Sequence, residues 1–255
     1  MPTRDDEFVD PYTYPDSSVL RNRLGLRTQR ELTEAEYRLT FGRRVELVRD
    51  PIEGSFDLTR LQETHRRLFQ DIFEWAGQLR TVEIAKGTSH FLPFSLIHTA
   101  ADDTFGWLGE SGLLLPDIDD QTFVRQGASL LEKVNYIHPF REGNGRTQRA
   151  FLDQVAAVSG RKLAWRNIDT HDHLLASIRS FNEADGAAFE PILRRALQPP
   201  LDGLDPLDSG LYLATGASAA SSVARHEAMR RRFPELAVND DLPEPPTMFD
   251  DSPEL

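Results

Sequence analysis

The stretch His138-Pro139-Phe140-Arg141-Glu142-Gly143-Asn144-Gly145-Arg146-Thr147-Gln148-Arg149 constrains this chain more than any other. It sets an imidazole, a carboxylate, an amide, two glycines and a pair of arginines three apart within one short segment. An apolar pattern of helical period runs into it from Thr122, with Phe123, Leu130, Val134 and Ile137 on one face. A second pattern runs out of it from Asn144 through Phe151, Val155 and Val158 to Gly160. The segment is therefore expected to close one buried helix and open the next.

Such a junction suits a phosphate. Gly143 and Gly145 can take backbone angles closed to other residues and let the main chain approach a ligand. The backbone N–H groups at the start of the second helix make an anion site. Arg146 and Arg149 share a helical face, one turn deep, where guanidinium forks could hold successive phosphates. Glu142 is a hard oxygen ligand of the kind that Mg²⁺ takes when it bridges phosphates, and His138 can accept a proton near neutral pH. Phe140 is the apolar anchor expected to fix the loop. A polar turn with solvated side chains would explain any one of these residues, but not all of them together.

The same residues resemble the Fic motif, His-x-Phe-x-(Asp/Glu)-Gly-Asn-Gly-Arg-x-x-Arg, without departure. The resemblance extends from about Tyr14 to Leu197, and Arg80–Gly87 is similar to the flap that precedes the motif. It implies an all-α Fic fold, a helical bundle with a small β-hairpin flap beside the active-site loop. It implies a protein adenylyltransferase that moves AMP from ATP to a target hydroxyl, with Mg²⁺ as cofactor. In that family pattern His138 is the general base and Glu142 the metal ligand. Asn144 and the backbone around Gly143 and Gly145 meet the α and β phosphates, Arg146 the β and Arg149 the γ. Lys86 and Gly87 fall near the nucleotide, Asn182 near the adenine, and the target's main chain docks on the flap. Doc-type relatives transfer a phosphoryl group instead, through an altered glycine loop that this chain does not have. A non-catalytic nucleotide-binding scaffold would be expected to lack the histidine or the acid.

Around this segment the chain reads as helices. Thr33-Glu34-Ala35-Glu36 has capping-box spacing and predicts a helix ending before Pro51, with Leu39, Val45 and Val48 apolar. Asp57 should cap a long amphipathic helix carrying Leu58, Leu61, His65, Leu68, Ile72 and Trp75, stopped by Gly77. His65 lies on that stripe and is expected to be a satisfied core histidine. Arg80–Ala85 alternates as a strand, and Phe91-Leu92 would return it, making the flap hairpin the sole sheet. An exposed strand edge can pair with any peptide main chain. Residues 93–115 should hold a helix and loop with Trp107 and Leu108 in the core. Asp117–Asp120 lacks the ligand spacing of an EF-hand and is expected to cap a helix. Asp169 or Thr170 should cap another helix. His171 and His173 are two apart, on different sides of it, which disfavours a shared metal. Residues 180–186 are expected to break it before a last helix.

Domains are expected as an arm at 1–20, a Fic catalytic domain at 21–198, and at 199–255 a linker, a short basic helix and an acidic, proline-containing tail. The net charge of −12 argues against nonspecific nucleic-acid binding. The absence of cysteine excludes disulfides and thiolate metal sites and fits a reducing cytosol, with export into a host cell as the alternative. No apolar run is long enough for a membrane span.

Many Fic proteins are restrained by a helix bearing Ser/Thr-x-x-x-Glu-Gly/Asn, whose glutamate meets the second motif arginine. Here Thr59-Arg60-Leu61-Gln62-Glu63 has the spacing, but Thr64 follows and the segment lies inside a core helix. The expected restraint is therefore a separate small antitoxin protein.

Overall fold

The computed structural model describes residues 10–86 and 89–198. Gly87, and all of the expected linker, basic helix and acidic tail, lie outside the described residues. Among the described residues seven α-helices follow in order: α1 Gln29–Arg49, α2 Leu58–Phe69, α3 Ile97–Glu110, α4 Asp120–Ile137, α5 Asn144–Val158, α6 Thr170–Glu183 and α7 Glu190–Ala196. Between α2 and α3 stands a small hairpin, β1 Ala85–Lys86 with β2 Ser89–His90, in antiparallel register Ala85 to His90. A second antiparallel pair, β3 Lys162–Leu163 with β4 Leu197–Gln198, ties the end of α5 to the end of α7, so the flap is not the sole sheet. No helix among the described residues is long and apolar enough to cross a membrane.

The helix starts follow from local chemistry. Asp57, Asp119 and Asp169 each accept a backbone N–H from the first turn that follows, at 2.9, 2.9 and 2.8 Å. The cap of α1 is Thr28 rather than Thr33. Its hydroxyl accepts from the Glu31 N–H and bonds the Glu31 carboxylate at 2.6 Å. Two hydroxyl-to-carboxylate spacings stand in tandem there, and the earlier one nucleates the helix.

The stripe expected to reach Trp75 as one helix ends at Phe69. The chain then tightens into turns, with Ile72 and Phe73 both bonding the Phe69 carbonyl at 2.9 Å. Ile72 remains buried and Trp75 half-buried, so the apolar pattern marks burial beyond the helix itself. Arg80–Ile84, expected as part of the strand, bends at Val82 and joins no ladder, which begins only at Ala85. Asn182 belongs to the last turn of α6, and the expected break begins two residues later at Ala184, φ +50°.

Two apolar clusters result. One gathers α3, α4, α5 and α7 around Phe123, Leu130, Val134, Ile137, Phe151 and Leu193. The other joins α1 and α2 through Leu32, Leu47, Leu68, Phe69, Ile72 and Phe73, with Val19 and Leu20 of the N-terminal arm packed in. Each fully buried side chain of this size contributes about 1.5–3 kcal/mol. The segment 138–143 crosses the seam between the clusters, with Phe140 in the first and Ala150, two turns on, in the second.

Candidate active site

The His138–Arg149 loop is built by self-bonding. The His138 N–H makes the last α4 bond, to the Val134 carbonyl at 3.0 Å, and the residue itself turns left-handed at φ +44°. Asn144 closes the loop: its Oδ1 accepts from the Phe140 N–H at 3.0 Å and its Nδ2 donates to the Phe140 carbonyl at 2.7 Å. Both ends of that amide are thus spent on the loop, so its side chain braces the turn. Gly143, φ +82°, lies flat against Phe69, where an added Cβ would stand 2.3 Å from Cζ. No residue but glycine fits there.

His65 of α2 holds this loop from below. Its Nδ1 accepts from the Gly77 N–H at 2.7 Å and its Nε2 donates to the Glu142 carbonyl at 3.0 Å, which fixes the tautomer. The ring stacks on Phe140 at 4.0 Å and Phe69 at 4.7 Å. Burial pushes its pKa down to about 3, so it is neutral. The core histidine expected from the helical stripe is satisfied as foreseen. Its grip on the loop was not legible, since both partners come from distant turns.

The His138 imidazole is half-buried. Its Nδ1 lies 3.2 Å from the Asn135 carbonyl, an acceptor only, so the neutral ring donates there and carries its lone pair at Nε2. Phe91, just past the flap hairpin, stacks on this ring at 3.7 Å and meets Phe181 of α6 edge-on at 5.2 Å. The flap and the α6 turn that holds Asn182 therefore converge over His138. Lys86 lies on β1.

At the start of α5, among the described residues, no side chain bonds the N–H groups of Asn144, Gly145 or Arg146 in the first turn. The Glu142 carboxylate accepts from the Gly143 N–H at 2.7 Å and from Arg146 at 3.2 Å, with 43% of the side chain exposed. Arg149 folds back along the first turn, its Nη1 3.8 Å from where a Gly145 Cβ would be. Burial, with Arg44 and Arg146 nearby, lowers its pKa to about 10, against a weaker pull from Asp153. Among the described residues it makes no hydrogen bond or ion pair. Cations crowded at a helix N-terminus are a site for an anion.

One participant escaped the sequence. Glu36 of α1 is buried and bonds Arg146 directly. Burial raises its pKa while Arg146 opposes the rise. The available signal was a carboxylate on the Leu32–Thr40 face of α1, where charges are rarely buried unpaired. Glu63, of the inhibitor-like spacing, instead bonds Arg66 and Arg67 on the outside of α2. A hollow of about 930 Å³ opens elsewhere, between Phe56, Leu58, His98 and Phe105. It lies apart from the loop, and it has no such convergence of base, acid and guanidinium groups.

The sequence pattern of the Fic/DOC family matches residues 55–156. The chain is 38% identical over 163 residues to "Probable protein adenylyltransferase Fic" of Escherichia coli K12, covering 64% of this chain and 80% of that protein. It is 36% identical over 172 residues to protein adenylyltransferase VbhT of Bartonella schoenbuchensis, covering 68% of this chain but only 36% of that longer protein. A crystal structure with bound ADP, of the N-terminal Fic domain of a VirB-translocated Bep effector protein from Bartonella quintana, superposes with a TM-score of 0.69 at 27% identity. That match covers 74% of this chain and 94% of that one.

Proposed function

Because this chain belongs to the Fic/DOC family, we propose that it transfers AMP from ATP to a hydroxyl side chain of a target protein. One observation carries the proposal. A histidine whose Nδ1 donates to the Asn135 carbonyl ends α4, and within the next eleven residues a half-exposed carboxylate and two guanidinium groups gather at the start of α5.

His138 Nε2 takes the proton of the target hydroxyl. The freed oxygen attacks the α phosphorus, a new P–O bond forms, the bond to the β-phosphate bridge breaks, and pyrophosphate leaves. A positioned base of this kind contributes about 10² to 10⁴ in rate. The backbone of Gly143–Arg146 meets the α and β phosphates, Arg146 the β and Arg149 the γ. Asn144 contributes by keeping that backbone in place. Lys86 and Asn182 border the nucleotide, and the target lies along Arg80–Lys86.

Glu142 fits a magnesium ion: one exposed carboxylate beside a phosphate cradle is the arrangement Mg²⁺ takes, with the substrate supplying further oxygens. When bound, the ion supplies charge neutralisation to the polyphosphate. Arg146 meanwhile holds the Glu142 carboxylate in place.

A separate small protein restrains the enzyme in the cytosol by offering a carboxylate to Arg149, which among the described residues feels Asp153 through charge alone and makes no ion pair. Co-purification from the native host tests that partner; a stoichiometric enzyme that is active and harmless without one contradicts it. The activity itself is tested by mass spectrometry of lysate proteins for an added AMP, comparing wild type with His138→Ala. Adducts present with wild type and absent with the variant support the proposal; adducts in neither, or in both, contradict it.

A further inference from the structure

The AMP-transfer proposal leaves open what holds His138 in its unusual backbone conformation. A left-handed residue with a Cβ stays there only when its surroundings enforce it. Resting on that proposal, we infer that Arg80, together with Phe91, is a positioning residue for His138 and joins the target-docking flap to the catalytic base as one unit.

Arg80 is 2% exposed. Its Nε donates to the carbonyl of His138 itself at 2.9 Å, and Nη2 reaches the Ile137 carbonyl at 3.4 Å. On its other side Nη1 donates to the Val82 carbonyl at 2.8 Å and Nη2 to the Leu92 carbonyl. These are the two arms of the flap root. The Arg80 backbone N–H adds a bond to the Pro139 carbonyl at 2.9 Å. Its nearest carboxylate, Glu83, is 3.7 Å away and 61% exposed, a weak counter-charge. The guanidinium is instead neutralised by the carbonyl end of α4, where the helix dipole favours a cation.

The same flap presses Phe91 flat on the imidazole, and the Leu92 N–H bonds the Tyr136 carbonyl at 3.4 Å. His138 is thus fixed at its carbonyl by Arg80, at its ring face by Phe91 and at Nδ1 by Asn135. A target strand that displaces the flap moves the base with it. Lysine cannot replace Arg80, because an ammonium is a point donor and the four carbonyls need a planar fork.

Arg80→Lys and Phe91→Leu provide the test. Initial AMP-transfer rates are measured with α-labelled ATP and lysate, nucleotide affinity by calorimetry with ATP, folding by circular dichroism, and the His138 tautomer by ¹⁵N NMR. Transfer is expected to fall about 100-fold in Arg80→Lys and several-fold in Phe91→Leu, since a misplacement of about 1 Å costs that much. Nucleotide affinity should stay within about threefold, because among the described residues neither side chain bonds or stacks on Gly143–Arg149, and the imidazole signal should move toward a tautomer mixture. Wild-type transfer rates in both folded variants overturn the inference. So does nucleotide affinity lost in step with transfer, the signature of general loosening. If Arg80→Lys does not fold, Phe91→Leu decides alone. If wild type binds ATP but transfers nothing, the parent proposal fails, and an imidazole spectrum unchanged by either substitution separately sinks this one.

Discussion

Replacing His65 with phenylalanine separates the buried imidazole's electrostatics from its packing. The ring keeps its place against Phe140 and Phe69, but the Gly77 N–H and the Glu142 carbonyl lose their partners. Stranding two part-buried backbone groups costs about 2 kcal/mol at pH 7.5. The pH dependence changes in the opposite sense. Unfolded, His65 protonates near 6.5; folded, burial holds it at about 3. Below pH 6.5 the unfolded chain binds a proton that the native chain refuses, so the stability from His65 is complete above 6.5 and drains away toward 3. Between pH 7.5 and 5 that loss is about 2 kcal/mol in the wild type and absent from the variant. His173, also depressed by burial, to about 4, acts equally in both chains. Urea unfolding at the two pH values should therefore show a gap of about 2 kcal/mol at pH 7.5 that closes by pH 5. Parallel losses in the two proteins would refute the neutral, doubly bonded His65.

Three further substitutions probe the cradle. Gly143→Ala combines a left-handed φ of +82° with a Cβ 2.3 Å from Phe69 Cζ and should cost about 2–4 kcal/mol in urea unfolding, partly recovered by adding Phe69→Leu; an unchanged midpoint contradicts the close approach. Glu36→Gln removes a carboxylate that a phosphate must share Arg146 with, so calorimetry should find ATP bound about three- to tenfold tighter, and weaker binding would mean that Glu36 orients the arginine instead. Glu142→Gln should abolish the dependence of ATP affinity on magnesium while leaving magnesium-free affinity near that of wild type; a retained metal dependence would move the ligand elsewhere.

Much of this arrangement was legible because helical periodicity reports burial directly. Phe123, Leu130, Val134, Ile137, Phe151 and Val155 all face the core as their spacing required. Capping aspartates were legible for the same local reason. Errors arose where two local signals competed or where a tertiary partner overrode one. Thr28 and Thr33 offer the same capping spacing, and only packing selects between them. The Arg80–Ile84 alternation looks like a strand, yet the Arg80 side chain, rather than a neighbouring strand, bonds the Val82 carbonyl. Glu36 stands 110 residues from Arg146, and nothing local to either residue announces the pair. The motif identified the chemical groups; the bracing by His65, Asn144 and Arg80 needed three dimensions.

The central claim is that a base at His138 directs a target oxygen to the α phosphorus of a nucleotide held at the start of α5. Its most direct test is parallel incubation of lysate with ATP labelled at the α or the γ phosphate. Label should enter protein from the α position only and vanish with His138→Ala. Protein labelled from the γ position, or α label undiminished in that variant, would contradict it.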